Sequence, residues 1–441
     1  MTSIAVASFF KRAGEVASRL SERSKRLGAA HMAVIAGAFL ASLFAWNHFM
    51  SGQPPTVDTE NVFAQAEMLK SGMMPYRDFV FEFPPLAMLV FLAPALFAPD
   101  FQSYVFLYGL EMIAFAAIAA YFMMKIAEGL GFDKRAAGIM FVFLVVAGNL
   151  VVGKFDIAAA AAATASLYLC LRGRYCLGIA VMSAAALMKI YPAALIPLIF
   201  IAMAFDPRVE RKLKAALFGA ASFAAVALAV FAPLLLASVS VGDATSFLGF
   251  HSDRGFQVES TVAVAIQALG QLGLADFYIV PSHSTYDVAG PMADALLPFG
   301  MPACVAMVAS TLAFAAFNER RPRPAAAGGL PMRLALYSVM AMIAFMLSNK
   351  VFSTQYVVWL YPMLPLMALA ARGRRRAAII AASAAAAFLS MQIVRIGHLG
   401  DAFPAVNIAR DAMLAFLFAQ ALLMAMERAA PEEGADPPRE G

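Results

Sequence analysis

Apolar runs of membrane-spanning length recur along this chain between short basic segments, and this pattern limits its fold more than any other feature. A bilayer core needs about 20 apolar residues per helix, and 62% of the 441 residues are hydrophobic whereas 14% are charged. We expect helices, because unpaired backbone groups are costly in lipid and because the runs lack the alternation of a membrane barrel. The sequence therefore predicts an all-α polytopic membrane protein.

The apolar runs predict about twelve transmembrane helices of the usual length. The predicted spans are 31–49, 102–126, 136–152, 157–171, 175–189, 191–205, 213–239, 291–317, 334–348, 356–371, 377–394 and 408–427. The apolar segment 84–97 begins with Pro84 and Pro85 and contains Pro94. Because proline restrains its own backbone and that of its predecessor, we expect a juxtamembrane or re-entrant helix there, and whether it spans stays open.

Basic residues orient the predicted helices. With the N-terminus in the cytoplasm, 25 of the 33 Lys and Arg residues lie on the inner side, as membrane proteins prefer. Basic inner loops also account for the net charge of +5 without a nucleic acid partner. The basic residues left on the outer side are Lys70, Arg77, Lys154, Lys189, Arg254, Lys350, Arg395 and Arg410.

This orientation divides the chain into three parts. Residues 1–30 form a basic cytoplasmic segment, and residues 31–427 form the membrane module, with large outer loops at 50–101 and 240–290. A surface helix is expected from Glu259 to Leu272, and residues 428–441 are expected to be a disordered cytoplasmic tail. The expected location is the inner (plasma) membrane, with both termini in the cytoplasm and the site on the periplasmic side.

The stretch from Asp58 to Pro85 concentrates polar chemistry beside the first span. Besides Asp58, it contains Glu60, Glu67, Lys70, Arg77, Asp78 and Glu82. Such a concentration in so apolar a chain indicates a functional surface. Glu111 is the one carboxylate that the sequence places near the middle of a span, whereas an ion-coupled transporter usually keeps several ionisable groups there.

Five further motifs follow Asp58 in order, namely GMMPYRDFVFEFPPLA, GKFD, ALMKIYPAALIPL, HSDRGFQVES and SNKVFSTQYVVWLYP. In their order and shared outer placement they resemble the GT-C superfamily of polyprenol-phosphate-sugar glycosyltransferases, most closely the mannosyltransferase-like proteins of glycosyltransferase family 87. The resemblance extends from about Asp58 to Pro362. It implies a GT-C-type helix bundle, a catalytic aspartate in the first outer loop and a donor whose polyprenyl tail lies in the bilayer.

Asp58 resembles the catalytic base of that family, which takes a proton from the acceptor hydroxyl. Alternatively, it could cap the helix that DTENVFAQAEML suggests, since aspartate is a good N-cap. Arg77 and Asp78 could form an ion pair with Glu82 that shapes the loop. Alternatively, Asp78 or Glu82 could contact sugar hydroxyls or assist the base.

Cations or hydrogen-bond donors are needed to hold the departing phosphate, and arginine can bind it bidentately. The candidates are Lys154, Lys189, Tyr191, Arg254 and Lys350. Asp156 could pair with Lys154, help to form the acceptor site or contribute to a metal site. Further candidates to line the sugar pocket are Gln257, Glu259, Gln355, Tyr356 and Trp359, the last being equally suited to an interfacial aromatic belt. Without a DxD motif or a His-carboxylate cluster, we expect no metal and no other cofactor.

Together these features predict an inverting hexosyltransferase. The donor is expected to be a polyprenyl-monophosphate sugar, with mannose implied by the resemblance, and the acceptor a glycan, lipid or protein at the outer face. Membrane lipids are the other expected partner. The alternative from another class is a transporter or lipid-glycan flippase without bond-making chemistry, and a third possibility is a non-catalytic family member that serves as an assembly partner.

Overall fold

The computed structural model describes residues 28–51, 57–133, 136–282, 285–321, 329–398 and 400–427. The expectations for the basic segment before residue 28 and for the tail 428–441 lie outside these ranges. Most of the described chain is helical. The α-helices are α1 (Ala29–Ser51), α2 (Val57–Lys70), α3 (Ala87–Ala95), α4 (Phe101–Gly129), α5 (Ala136–Ala147), α6 (Asn149–Val152), α7 (Asp156–Leu171), α8 (Tyr175–Ala186), α9 (Ile196–Phe205), α10 (Lys212–Leu236), α11 (Val241–Ala244), α12 (Ser246–Ser252), α13 (Thr261–Gln271), α14 (Pro291–Glu319), α15 (Gly329–Ser348), α16 (Leu364–Ala370), α17 (Gly373–Ile396) and α18 (Phe403–Met426).

Six helices of the described part are long and apolar enough to cross a membrane, namely α4, α10, α14, α15, α17 and α18. Shorter apolar helices coincide with five of the other six predicted spans, and 356–371 is the exception. The predicted class, a polytopic helical membrane protein, is therefore confirmed. Helix α15 is the most buried of the six and lies in the core, whereas few residues of α10 are buried.

Three of the predicted spans are not continuous α-helices. Gly148, with a φ of +47°, separates α5 from α6, and Pro192 lies in a 3₁₀ helix (Tyr191–Leu195) that precedes α9. A second 3₁₀ helix (Thr354–Leu360) and α16 replace the predicted span 356–371. Broken helices at membrane depth are tolerated where their polar groups are buried in protein or line a cavity. The interruptions lie beside the candidate residues Lys154, Lys189 and Tyr356.

The segment 84–97 contains only the nine-residue helix α3. At about 1.5 Å per residue such a helix is far shorter than a bilayer core of about 30 Å. The Leu86 N–H donates to the Leu187 carbonyl oxygen at 2.7 Å, and Phe91 is fully buried. Helix α3 therefore packs against the bundle without the length to span it.

The loop between α10 and α14 is compact. Helix α13 (Thr261–Gln271) fits the predicted surface helix, and the Ser260 hydroxyl caps it by accepting from the Ala263 N–H. Three short strands, β1 (Phe256–Gln257), β2 (Tyr278–Ser282) and β3 (Thr285–Ala289), form an antiparallel sheet in the order β1-β3-β2. No strand is predicted here from the sequence, because strands this short depend on their tertiary surroundings.

Candidate functional site

Asp156 forms the centre of a buried polar cluster. It is the first residue of α7 and is only 1% exposed. Its Oδ2 accepts a hydrogen bond from Lys189 Nζ at 2.6 Å, and its Oδ1 accepts one from Trp359 Nε1 at 2.6 Å. Asp156 therefore joins the end of α8 to the 3₁₀ helix Thr354–Leu360.

Aromatic rings enclose this ion pair. Tyr191 and Tyr356 both stack on Trp359, with centroid distances of 3.9 and 4.1 Å. The Lys189 ammonium lies 4.5 Å from the centroid of the Phe155 ring, within the range of a cation–π contact. Trp359 is buried in the core and not in an interfacial belt. The rings fix both the lysine and the carboxylate in place.

Glu82 lies beside the same cluster and is half-buried. Burial raises the pKa of its carboxyl, while the positive charges of Arg254 and Lys189 oppose that increase. Glu82 is thus close enough to both cations to interact with them electrostatically. Glu82 belongs to the first outer loop, so the loop and the Asp156 cluster meet at this point.

Arg254 is the second buried cation, and it is 6% exposed. Its Nη2 lies 3.7 Å from Asp287 Oδ1, which is too far for a hydrogen bond. Among the described residues, neither Nε nor Nη2 of Arg254 has a hydrogen-bond partner. Lys350 Nζ donates to the Arg254 carbonyl oxygen at 2.5 Å. The Arg254 side chain therefore has buried N–H donors. The Lys350 amine instead binds the backbone of Arg254.

Lys154 and Glu259 extend the cluster. Burial lowers the pKa of Lys154 to about 8, although Asp156 and Glu259 act in the opposite direction. Glu259 Oε2 accepts from the Thr354 N–H at 2.6 Å. Burial raises the pKa of Glu259, whereas Arg410, the Thr354 N–H and Lys154 lower it. Both groups thus lie near one another and near Asp156.

The other candidate residues from the predicted outer loops lie close in the chain to the residues just described. Gln257 Nε2 donates to Ser353 Oγ at 2.8 Å, which ties β1 to the segment before the second 3₁₀ helix. Tyr356 belongs to the aromatic stack, and Gln355 precedes it in a half-buried position. The structure therefore brings together candidates from five separate stretches of sequence. These candidates are Glu82, Lys154, Asp156, Lys189, Tyr191, Arg254, Gln257, Glu259, Lys350, Gln355 and Tyr356.

Arg77 and Asp78 lie apart from that cluster, in an exposed loop. Arg77 Nε and Nη2 each donate to a carboxylate oxygen of Asp78 at 2.8 Å, and Nη1 donates to the Ala237 carbonyl oxygen at 2.7 Å. The hydrogen bonds from Arg77 lower the pKa of Asp78 to about 2, with a further contribution from the Met74 N–H. The described contacts of this pair do not include Glu82. Its geometry is that of a structural link between the first outer loop and the end of α10.

An open cleft of about 520 Å³ adjoins this pair. The loop from Tyr76 to Phe81 forms one side, and Asp243, Ser246 and Asp253 contribute to the other. Asp253 immediately precedes Arg254, so the cleft is adjacent in the chain to the buried cation. The cleft is open to solvent, whereas Asp156 itself is buried.

Asp58 lies in the first turn of α2, but its side chain is outside the described part of the chain. Helix α2 packs on α3 and α4, where the Phe63 ring lies 5.0 Å from that of Tyr104. Both the base and the N-cap interpretation of Asp58 stay predictions.

Two buried charged residues of this region were missed as site candidates. Asp287 on β3 accepts from the Gly255 N–H at 3.0 Å, and no local motif distinguishes it. Arg410 was predicted only as an outer cation. It is fully buried, donates to the Glu259 carbonyl oxygen at 2.8 Å and lies 3.9 Å from the centroid of the Phe352 ring. Within the described ranges, no three His, Cys, Asp or Glu side chains form a group suited to a metal ion.

Part of the chain matches a known protein family. Residues 54–253 match the family described as GPI transamidase subunit PIG-U. This range carries Glu82, Lys154, Asp156 and Lys189, but it is less than half of the chain. No curated protein matches the sequence.

Among solved structures, the chain is similar to ArnT from Cupriavidus metallidurans. The structure bound to undecaprenyl phosphate has a TM-score of 0.47 and 16% identity, covering 89% of this chain and 77% of that chain. The apo structure has a TM-score of 0.42 and 15% identity, covering 85% and 72%.

Proposed function

We propose that this multi-pass membrane protein is a GT-C-type inverting glycosyltransferase. It moves a hexose, mannose by its resemblance to family 87, from a polyprenyl monophosphate to a hydroxyl of a glycan, lipid or protein acceptor. The reaction takes place at the outer face of the inner membrane. Both termini lie in the cytoplasm.

The convergence of charged residues from distant parts of the chain supports the proposal most directly. Arg254 and Lys189 both act electrostatically on Glu82, and Lys154 acts on Glu259. A helical membrane protein buries such charges at considerable cost, so ionisable residues in it usually serve function. Clustered cations beside carboxylates suit a substrate that joins an anionic phosphate to a polyhydroxylated sugar.

The proposed reaction is a single displacement at the anomeric carbon. Asp58 takes the proton of the acceptor hydroxyl, and the acceptor oxygen bonds to the anomeric carbon as the bond to the phosphate oxygen breaks. The polyprenyl phosphate leaves with the bonding electron pair, and Arg254 donates N–H groups to its oxygens. Lys189 and Lys154 add positive charge, and a nearby carboxylate such as Glu82 can stabilise the oxocarbenium-like centre.

The open cleft beside Arg77 and Asp78 is the proposed approach for the acceptor. It is solvent-accessible and lined by polar groups, and its Asp253 immediately precedes Arg254. Asp78 is held by Arg77, so its role is to shape the loop that forms one side.

The test uses purified protein with synthetic polyprenyl-phosphate mannose and a panel of glycan and lipid acceptors. We expect sugar transfer with inversion by the wild type, and its loss in Asp58→Asn at unchanged thermal stability. Glu60→Gln is the matched control, because Glu60 is an exposed carboxylate on the same helix. Sugar or lipid crossing a vesicle without bond cleavage would instead support the transporter alternative.

A second candidate is a non-catalytic subunit that binds a lipid-linked glycan within a membrane complex. The match of residues 54–253 to a transamidase subunit family favours it. The chain should then co-purify from its native membrane with a stoichiometric partner. The isolated chain should bind polyprenyl-phosphate sugar but transfer nothing to any acceptor.

A further inference from the structure

The loop that carries Arg254 is held from two directions. Lys350 Nζ donates to the Arg254 carbonyl oxygen at 2.5 Å, and the Gln257 N–H donates to the Lys350 carbonyl oxygen at 2.9 Å. On the other side, β1 pairs with β3, so that Gln257 lies opposite Asp287. The backbone around Arg254 is therefore fixed before any ligand binds.

Asp287 contacts both the backbone and the side-chain region of this loop. It is 3% exposed, and its Oδ2 accepts from the Gly255 N–H at 3.0 Å. A Cβ on residue 255 would lie 3.2 Å from that same oxygen, so a side chain there would crowd the Asp287 carboxylate. The other oxygen, Oδ1, lies 3.7 Å from Arg254 Nη2 and accepts no hydrogen bond from the described residues.

Asp287 compensates the charge of Arg254 without forming a hydrogen bond to its guanidinium. A buried guanidinium without a nearby negative charge is strongly disfavoured. The Asp287 carboxylate supplies that charge at 3.7 Å, yet it does not occupy the Nε and Nη2 donors of Arg254. The donors are thus both buried and available to an anion.

We infer that Asp287 is a positioning residue that orients the Arg254 guanidinium for a phosphate group while leaving its Nε and Nη2 donors unoccupied. The inference rests on the proposed function, since the phosphate is that of the polyprenyl donor. Asp287 acts through Arg254 and does not contact the phosphate. Arg254 is the group that binds.

The experiment measures binding of undecaprenyl phosphate to the full chain in nanodiscs, without a sugar or an acceptor. Asp287→Asn keeps an acceptor for the Gly255 N–H but removes the negative charge. We expect it to weaken lipid binding at least tenfold. Asp276→Asn, a change to an exposed aspartate that precedes β2, should leave binding unchanged.

A double-mutant cycle distinguishes positioning from a general structural effect. If Asp287 acts through Arg254, then adding Asp287→Asn to Arg254→Gln causes no further loss, whereas independent effects would add. Asp287→Glu, which retains the charge, should recover part of the affinity. These variants also show whether a loss in Asp287→Asn results from misfolding, because the Arg254→Gln background would then lose binding and thermal stability further.

The binding measurements decide for or against the role of Asp287. Weakened binding in Asp287→Asn that disappears in the Arg254→Gln background supports the inference. Unchanged or tighter binding in Asp287→Asn, or fully additive losses, overturns it and leaves the proposed function intact. If the wild type does not bind undecaprenyl phosphate, both the inference and the proposed function fail.

Discussion

The indole N–H of Trp359 donates to Oδ1 of Asp156 at 2.6 Å across 203 positions of sequence. This bond connects the start of α7 to the second 3₁₀ helix in the core of the bundle. The other carboxylate oxygen holds Lys189, so Asp156 has a fixed orientation relative to three segments. Removing the side chain of Asp156, Lys189 or Trp359 should therefore disturb the positions of the other two.

Trp359→Phe is expected to lower stability by about 1–3 kcal/mol, because it leaves a buried carboxylate oxygen without its donor while nearly preserving the ring stack. Thermal unfolding in detergent, followed by intrinsic fluorescence or calorimetry, measures the change. Tyr278→Phe is the control, since Tyr278 is exposed on β2. Equal stability of Trp359→Phe and the wild type would show that the hydrogen bond contributes little.

Lys189→Met is expected to destabilise the protein by about 3–5 kcal/mol, because it leaves the charge of Asp156 buried without its partner. The Lys189→Met, Asp156→Asn double variant should recover much of that loss, since no unpaired charge then remains. Denaturant unfolding of the two single variants and the double variant gives the coupling energy. Strictly additive losses would contradict a direct ion pair.

Hydropathy was sufficient to predict the helical class and the position of most spans, because burial in lipid imposes both length and apolarity. The proline-rich start of 84–97 correctly indicated a non-spanning helix, as the nine residues of α3 show. Gly148 and Pro192 lie at two of the interruptions, but their local effect was not recognised within otherwise apolar runs.

The sequence indicated many of the polar residues that lie together in the structure, but not which of them bond to one another. Lys189 and Asp156 were both candidates, yet nothing in the sequence indicates that residues 33 positions apart bond to one another. Lys350 was expected to hold phosphate, whereas its amine bonds to the Arg254 backbone. Asp287 carries no local signal, because its position depends on the pairing of β1 with β3.

Asp78 should contribute the same stability at every pH between 5 and 9. Its pKa of about 2 lies below the ordinary value of 3.8, so its stabilising effect is complete above the ordinary value and decreases only as the pH falls towards 2. The difference in melting temperature between the wild type and Asp78→Asn should therefore be flat across this range. A difference that changes near neutral pH would show that Arg77 is not its main partner.

Lys154 should make binding of the anionic lipid depend on pH just above neutrality. Its pKa of about 8 means that the positive charge is lost as the pH rises through 8. The phosphate monoester is already ionised above pH 7, so the affinity for undecaprenyl phosphate should decrease about tenfold between pH 7 and 9 as the charged fraction of Lys154 decreases.

The lowered pKa of Lys154 also makes the stability of the fold depend on pH, but in the opposite direction to lipid binding. Because the pKa in the folded protein lies below the ordinary 10.5, burying Lys154 opposes folding fully below pH 8, and this penalty decreases as the pH rises towards 10.5. Binding and stability should therefore change in opposite directions above pH 8. Lys154→Arg stays charged throughout, so its lipid affinity should not change over this range. Equal pH profiles for the wild type and Lys154→Arg would show that Lys154 does not hold the phosphate.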